Sequence, residues 1–176
     1  MRLFVGLSIP DSVAAGLSLM QGGVPGARWS TREQFHLTLR FIGEVDGRDA
    51  AAIDDVLAAI SAPKFSLELH AVGTFGGRDL RELWAGIRPN EALMHLQRKI
   101  ETAIQRIGLP ADPRKFTPHV TLARLRGSPH SRAMEYIADH ALYSGGAFEV
   151  NEFLLYSSTL TPNGSIYTPE RDYPLR

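Results

Sequence analysis

The 176 residues hold 19 Lys plus Arg against 19 Asp plus Glu, a formal charge of zero, with 44% hydrophobic residues and no cysteine. That balance excludes a broad basic surface for long duplex nucleic acid, whose affinity rests on phosphate neutralisation. The absent thiols exclude a disulfide framework or a thiolate zinc site. The chain begins with the apolar run Leu3 to Ile9, which stops at Pro10 and is too short for a signal peptide or a membrane span. The length suits one globular unit over residues 1–176, so a soluble, cytoplasmic monomer with no membrane contact and no protein partner is expected.

Arg2 to Ile9 reads as a buried strand, and Pro10-Asp11 opens a helix that runs to Met20 before Gly22-Gly23. Trp29 to Thr31 reads as a connector leading into a strand from His36 to Ile42, broken at Gly43. Ile53, Val56, Leu57 and Ile60 recur at helical spacing within Asp49 to Ile60, Pro63 closes that helix, and Phe65 to His70 alternates as a strand.

The second part of the chain repeats this order. Leu83-Trp84-Ala85-Gly86-Ile87 matches Leu3-Phe4-Val5-Gly6-Leu7 by residue class, and Pro89-Asn90 follows as Pro10-Asp11 did. Leu93, Leu96, Ile100, Ile104 and Ile107 form a helical stripe, His119 to Leu122 a strand, Pro129 to Leu142 a helix, and Phe148 to Tyr156 a strand. Phe65 follows His36 by 29 residues, and Phe148 follows His119 by the same 29. The expected fold is therefore α/β of the α+β type: a bilobed, internally duplicated pair of β-α-β-α-β units, about 1–78 and 79–176, with pseudo-twofold symmetry and a central cleft. Ile166 to Leu175 adds a final extended segment.

The chemistry gathers on the paired stretches His36-Leu37-Thr38-Leu39 and His119-Val120-Thr121-Leu122. On a strand, residues two apart share a face, so each histidine projects beside its threonine while the apolar pair turns inward. An imidazole titrates near pH 6.5, so one ring can act as base while its partner acts as acid, the division an in-line displacement at phosphorus needs. Thr38 and Thr121 are placed to donate to non-bridging oxygens, and Arg124 reaches the phosphate if the strand ends or bulges near Ala123. The bland readings differ by residue. His70, His95, His130 and His140 lack this context and read as surface or packing residues. Arg40 reads as a surface charge, as does Arg124 on sequence logic alone, while Trp29, Phe75, Trp84 and Phe116 read as core or rim aromatics. Phe116, three residues before His119, is also a candidate to stack on a base. No carboxylate lies inside either motif, so a two-His-plus-carboxylate metal site is not expected.

These motifs, with Arg2-Leu3-Phe4-Val5, Arg40-Phe41-Ile42-Gly43-Glu44-Val45, Leu83-Trp84-Ala85-Gly86, Phe116-Thr117-Pro118, Ala123-Arg124 and the segment from Ser158 to Gly164 with Tyr167, resemble the two-histidine phosphoesterases. More narrowly the chain resembles the bacterial and archaeal RNA 2′,3′-cyclic phosphodiesterases, historically called 2′-5′ RNA ligases. The resemblance implies hydrolysis of a terminal RNA 2′,3′-cyclic phosphate to a 2′-phosphate with no metal or cofactor, and a weak reversible 2′-5′ ligation. It also implies that His119 activates water, that His36 protonates the departing 3′ oxygen, and that Thr38, Thr121 and Arg124 hold the phosphate. The residues alone leave the acid and base roles open. They also leave room for a small nucleotide or ADP-ribose cyclic phosphate as substrate, or for an RNA-end-binding module without turnover.

Overall fold

Strands and helices alternate along a computed structural model that describes every residue from Met1 to Arg176. In chain order they are β1 (Arg2–Ser8), α1 (Asp11–Leu19), β2 (Ala27–Trp29), β3 (His36–Glu44), α2 (Gly47–Ala58), β4 (Phe65–Phe75), β5 (Glu82–Ile87), α3 (Glu91–Arg106), β6 (His119–Leu125), α4 (His130–Asp139), β7 (Ser144–Val150), β8 (Glu152–Thr161) and β9 (Gly164–Pro174). A 3-10 turn at Arg32–Gln34 precedes β3. Two of the four helices, α2 and α3, start on side-chain caps that their sequences dictate. Asn90 accepts from the Leu93 amide, and Asp46 accepts from the Asp49 amide, which starts α2 at Gly47 rather than at Asp49. The stripe on α3 buries Leu93, Leu96, Ile100 and Ile104, each contributing roughly 2 kcal/mol of apolar burial.

All strand pairings are antiparallel, and the order across the sheet is β7-β4-β5-β6-β3-β1-β8-β9, with β2 added against β6. One residue, Asn151, separates β7 at one end of that order from β8 near the other. Two consecutive peptide steps span only about 7 Å, so the sheet must curl until its ends meet. One face carries Leu37, Leu39, Val120 and Leu122 into a main core with residues from all four helices. On another face a separate small cluster of Phe4, Leu154 and Tyr156 forms.

At the centre, β3 and β6 share a single bridge, Leu37 opposite Val120. The strands separate on either side of it, which divides the sheet into two lobes with a cleft between them. Leu37 and Val120 lie 83 positions apart, as do His36 and His119, and as do Ser66 and Glu149, which pair where β4 meets β7. A rotation exchanging residue n with residue n + 83 therefore leaves both pairings in register. The lobes are not consecutive stretches of chain. β4 edges β5 in the lobe of His119, and β8 edges β1 in the lobe of His36.

Four sequence expectations change. The strand read from Phe148 to Tyr156 is two strands, because Val150 pairs with Phe65 while Leu154 pairs with Gly6, and the chain must pass between lobes at Asn151. Gly43 does not end its strand but lies inside β3 at φ +95°, at a register shift against Leu3 and Phe4. Trp29, read as connector, closes β2 opposite Ala123. Arg40 is no surface charge: it is 6% exposed and held by Glu101 and by the carbonyls of Phe41 and Pro110.

Candidate active site

His36 and His119 each lie one residue before the single β3–β6 bridge, on the face opposite the main core. Their rings are fixed in the same way. His36 Nδ1 is 2.8 Å from the Gln34 carbonyl, and His119 Nδ1 is 2.7 Å from the Thr117 carbonyl. A carbonyl only accepts, so each Nδ1 carries a proton and each Nε2 is the working nitrogen. Gln34 is placed by the 3-10 turn, whose capping box joins Thr31 and Gln34.

Beyond this the two sites differ. His36 sits among Phe4, Tyr156 and Tyr167, with ring centroids at 4.8, 6.2 and 4.8 Å. Its pKa is lowered to about 4, first by burial and then by the charges of His119 and Arg124, against the opposing Gln34 hydrogen bond and Glu82 charge. The ring is neutral at pH 7, and Thr38 Oγ1 donates to its bare Nε2 at 2.9 Å.

His119 lies against Phe75 (4.8 Å) and Trp84 (6.1 Å). Room for the indole comes from Gly73, where a Cβ would fall 2.3 Å from the Trp84 ring. The unforeseen residue is Glu82. Its Oε1 is 3.4 Å from His119 Nε2 and accepts from the Thr121 hydroxyl, and its Oε2 is 3.8 Å from Arg124 Nη1. Burial pushes the Glu82 carboxyl up, but hydrogen bonds from His119 and Thr121, with the charges of His119 and Arg124, hold it below the usual carboxylate range. With Nδ1–H committed to the Thr117 carbonyl, His119 Nε2 is the ring atom that faces that carboxylate. The resemblance implies His119 as base and His36 as acid; a neutral His36 with a bare Nε2 is itself suited to accept a proton.

Arg124 reaches the cleft for the reason its sequence position demanded. β6 shifts register against β5 between Thr121 and Ala123, which leaves Leu122 and Ala123 both buried and turns Arg124 towards the side of Thr121. β3 shifts at the matching place, with Leu39 and Arg40 both buried. Phe116 is partly buried and packs against the main core. His140 stacks on Tyr136 at 4.1 Å, and His95 and His130 lie exposed on α3 and α4, as expected of residues outside the site. No group of three or more His, Asp or Glu is arranged to hold a metal ion. Glu82 was within reach of the sequence only through pairing: it shares the Trp84 face of β5, and β5 adjoins β6.

The chain is similar to known proteins in both sequence and fold. The sequence profile described as the 2′-5′ RNA ligase superfamily matches residues 9–161. An Aeropyrum pernix protein named RNA 2′,3′-cyclic phosphodiesterase is 35% identical over 153 residues, covering 85% of this chain and 86% of its own. A Thermotoga maritima protein of the same name is 31% identical over 175 residues, covering 95% of this chain and 91% of its own. Among solved structures, E. coli LigT in its apo form superposes with a TM-score of 0.82 at 26% identity, covering 99% of this chain and 96% of that one.

Proposed function

The chain belongs to the 2′-5′ RNA ligase superfamily, and from that membership we propose that it hydrolyses terminal 2′,3′-cyclic phosphates on RNA to 2′-phosphates. One observation carries the reading: two imidazoles flank the Leu37–Val120 bridge on the face opposite the main core, both pinned at Nδ1 by a backbone carbonyl. An in-line displacement at phosphorus needs a base on one side and an acid on the other. His36, neutral at pH 7, takes the proton from the attacking water at Nε2. His119 gives its Nε2 proton to the departing 3′ oxygen, so the P–O3′ bond breaks as the water oxygen bonds to phosphorus. With substrate bound, Thr38 and Thr121 turn their hydroxyl protons from His36 Nε2 and Glu82 to the non-bridging oxygens, which frees Nε2 for the water, and Arg124 offsets the charge that grows there. If the 5′-hydroxyl of a second RNA replaces water, the same geometry forms a 2′-5′ linkage. No cofactor enters this scheme, and both imidazoles come from one chain, so the monomer is the working unit.

The test uses His36→Ala and His119→Ala on an RNA bearing a 2′,3′-cyclic end. Each should lower kcat by about two to four orders of magnitude, the size of a general acid–base contribution. Activity within tenfold of the wild type in either variant overturns the assignment.

A further inference from the structure

The groups assigned above to hold the substrate's phosphate already hold an anion, the Glu82 carboxylate, which touches His119, Thr121 and Arg124 together. The other lobe has no counterpart. By strand register the position equivalent to Glu82 is Phe4, which pairs with Phe41 as Glu82 pairs with Arg124, and which sets an uncharged ring against His36 at 4.8 Å. Glu82 therefore gives the site one negative charge on the His119 side only. Its backbone is fixed by pairing with Arg124 across β5 and β6, and its side chain is only 12% exposed. A carboxylate displaced by an incoming phosphate stays within a side chain's length of that phosphate.

We propose that Glu82 is a charge-selectivity residue: it makes the cleft accept a singly charged cyclic diester and reject a doubly charged phosphomonoester. This rests on the hydrolytic reading above and deepens it. The cyclic substrate carries one negative charge. The 2′-phosphate product carries nearly two above the second phosphomonoester pKa of about 6. Both must occupy the position that Glu82 contests, and like charges a few ångströms apart repel more strongly for each added charge. The product is thus expelled as it forms, and inorganic phosphate in the surroundings is kept out. Neutral His36 sharpens the contrast, since it brings no compensating charge from the facing lobe.

The experiment compares wild type, Glu82→Gln and Glu82→Asp, with adenosine 2′,3′-cyclic phosphate as substrate and adenosine 2′-phosphate and inorganic phosphate as inhibitors. At pH 8, Glu82→Gln should tighten both inhibition constants by about tenfold or more while KM falls by about threefold or less. At pH 5, where the monoester carries one charge, the gain in inhibitor affinity should shrink to match the change in KM. Glu82→Asp, which keeps the charge, should retain wild-type selectivity. Equal shifts of KM and inhibition constants in Glu82→Gln overturn the proposal, as does weaker product binding, the sign expected if Glu82 only supports the fold of the site. Product and phosphate binding are also measured by calorimetry. A wild type that binds them but turns over no cyclic phosphate therefore refutes the hydrolytic reading and leaves the selectivity measurement intact.

Discussion

Acidification offers a direct reading of the His36 environment, through the difference between the wild type and His36→Gln. In the unfolded chain this imidazole takes up a proton near pH 6.5, whereas in the folded protein it resists protonation down to about 4. Between those values the unfolded state binds more protons, so stability falls as pH falls, by about 1.4 kcal/mol per unit from this group alone. The loss begins below pH 6.5, is complete near pH 4, and totals about 3 kcal/mol, a large share of the roughly 5–15 kcal/mol that holds a domain of this size together. Urea unfolding at pH 7, 6, 5 and 4 gives both curves, and the variant should lose about 3 kcal/mol less than the wild type over that span. NMR titration of the His36 ring should place its midpoint near 4. Curves that run parallel, or a ring titrating near 6.5, would refute the claim that burial beneath Phe4, Tyr156 and Tyr167 keeps this imidazole neutral.

Other parts of the molecule yield sharp outcomes as well. Arg40→Met strands the Glu101 carboxylate and frees the Pro110 carbonyl, so urea unfolding should show a loss of about 3–5 kcal/mol, largely recovered by adding Glu101→Leu; a loss below about 1 kcal/mol counts against the buried pair. Gly73→Ala forces the Trp84 ring aside, costing about 1–3 kcal/mol, and should shift tryptophan fluorescence and lower kcat through His119. A cyclic substrate with sulfur in place of the departing 3′ oxygen needs no protonation to leave; it should restore turnover to His119→Ala and not to His36→Ala, and the reverse pattern would exchange their roles. For an oligonucleotide with a cyclic end, log affinity should fall against log salt with a slope of about −1 to −2, and a steep slope would reveal an extended RNA groove instead.

What the sequence disclosed was local and periodic. The helix stripe from Leu93 to Ile104 and the Asn90 cap announce α3 on their own, and the alternation around His36 and His119 sets both rings on one face. The equal 29-residue spacing from each histidine to Phe65 and Phe148 announces the duplication, while the pairing of Leu37 with Val120 at its centre emerges only in the sheet. The residues that escaped notice depend on neighbours distant in sequence. Glu82 belongs to the site because β5 adjoins β6, and nothing within Arg81-Glu82-Leu83 signals that partner. Arg40 looks solvated beside Phe41 until α3 supplies Glu101 and the following loop supplies the Pro110 carbonyl. The break at Asn151 is hidden for a related reason. Phe148 to Tyr156 is a plausible single strand by composition, and only the presence of β4 on one lobe and β1 on the other divides it.

The polypeptide passes from lobe to lobe four times: into β2 and back to β3, through α2 into β4, and at Asn151 into β8. An aperture held by so many crossings cannot breathe about one hinge the way two domains on a single linker do. The distance between the imidazoles is consequently a property of the scaffold, set before any RNA arrives. At its rim the β8–β9 hairpin leaves Leu160 and Ile166 exposed and sets Tyr167 beside His36.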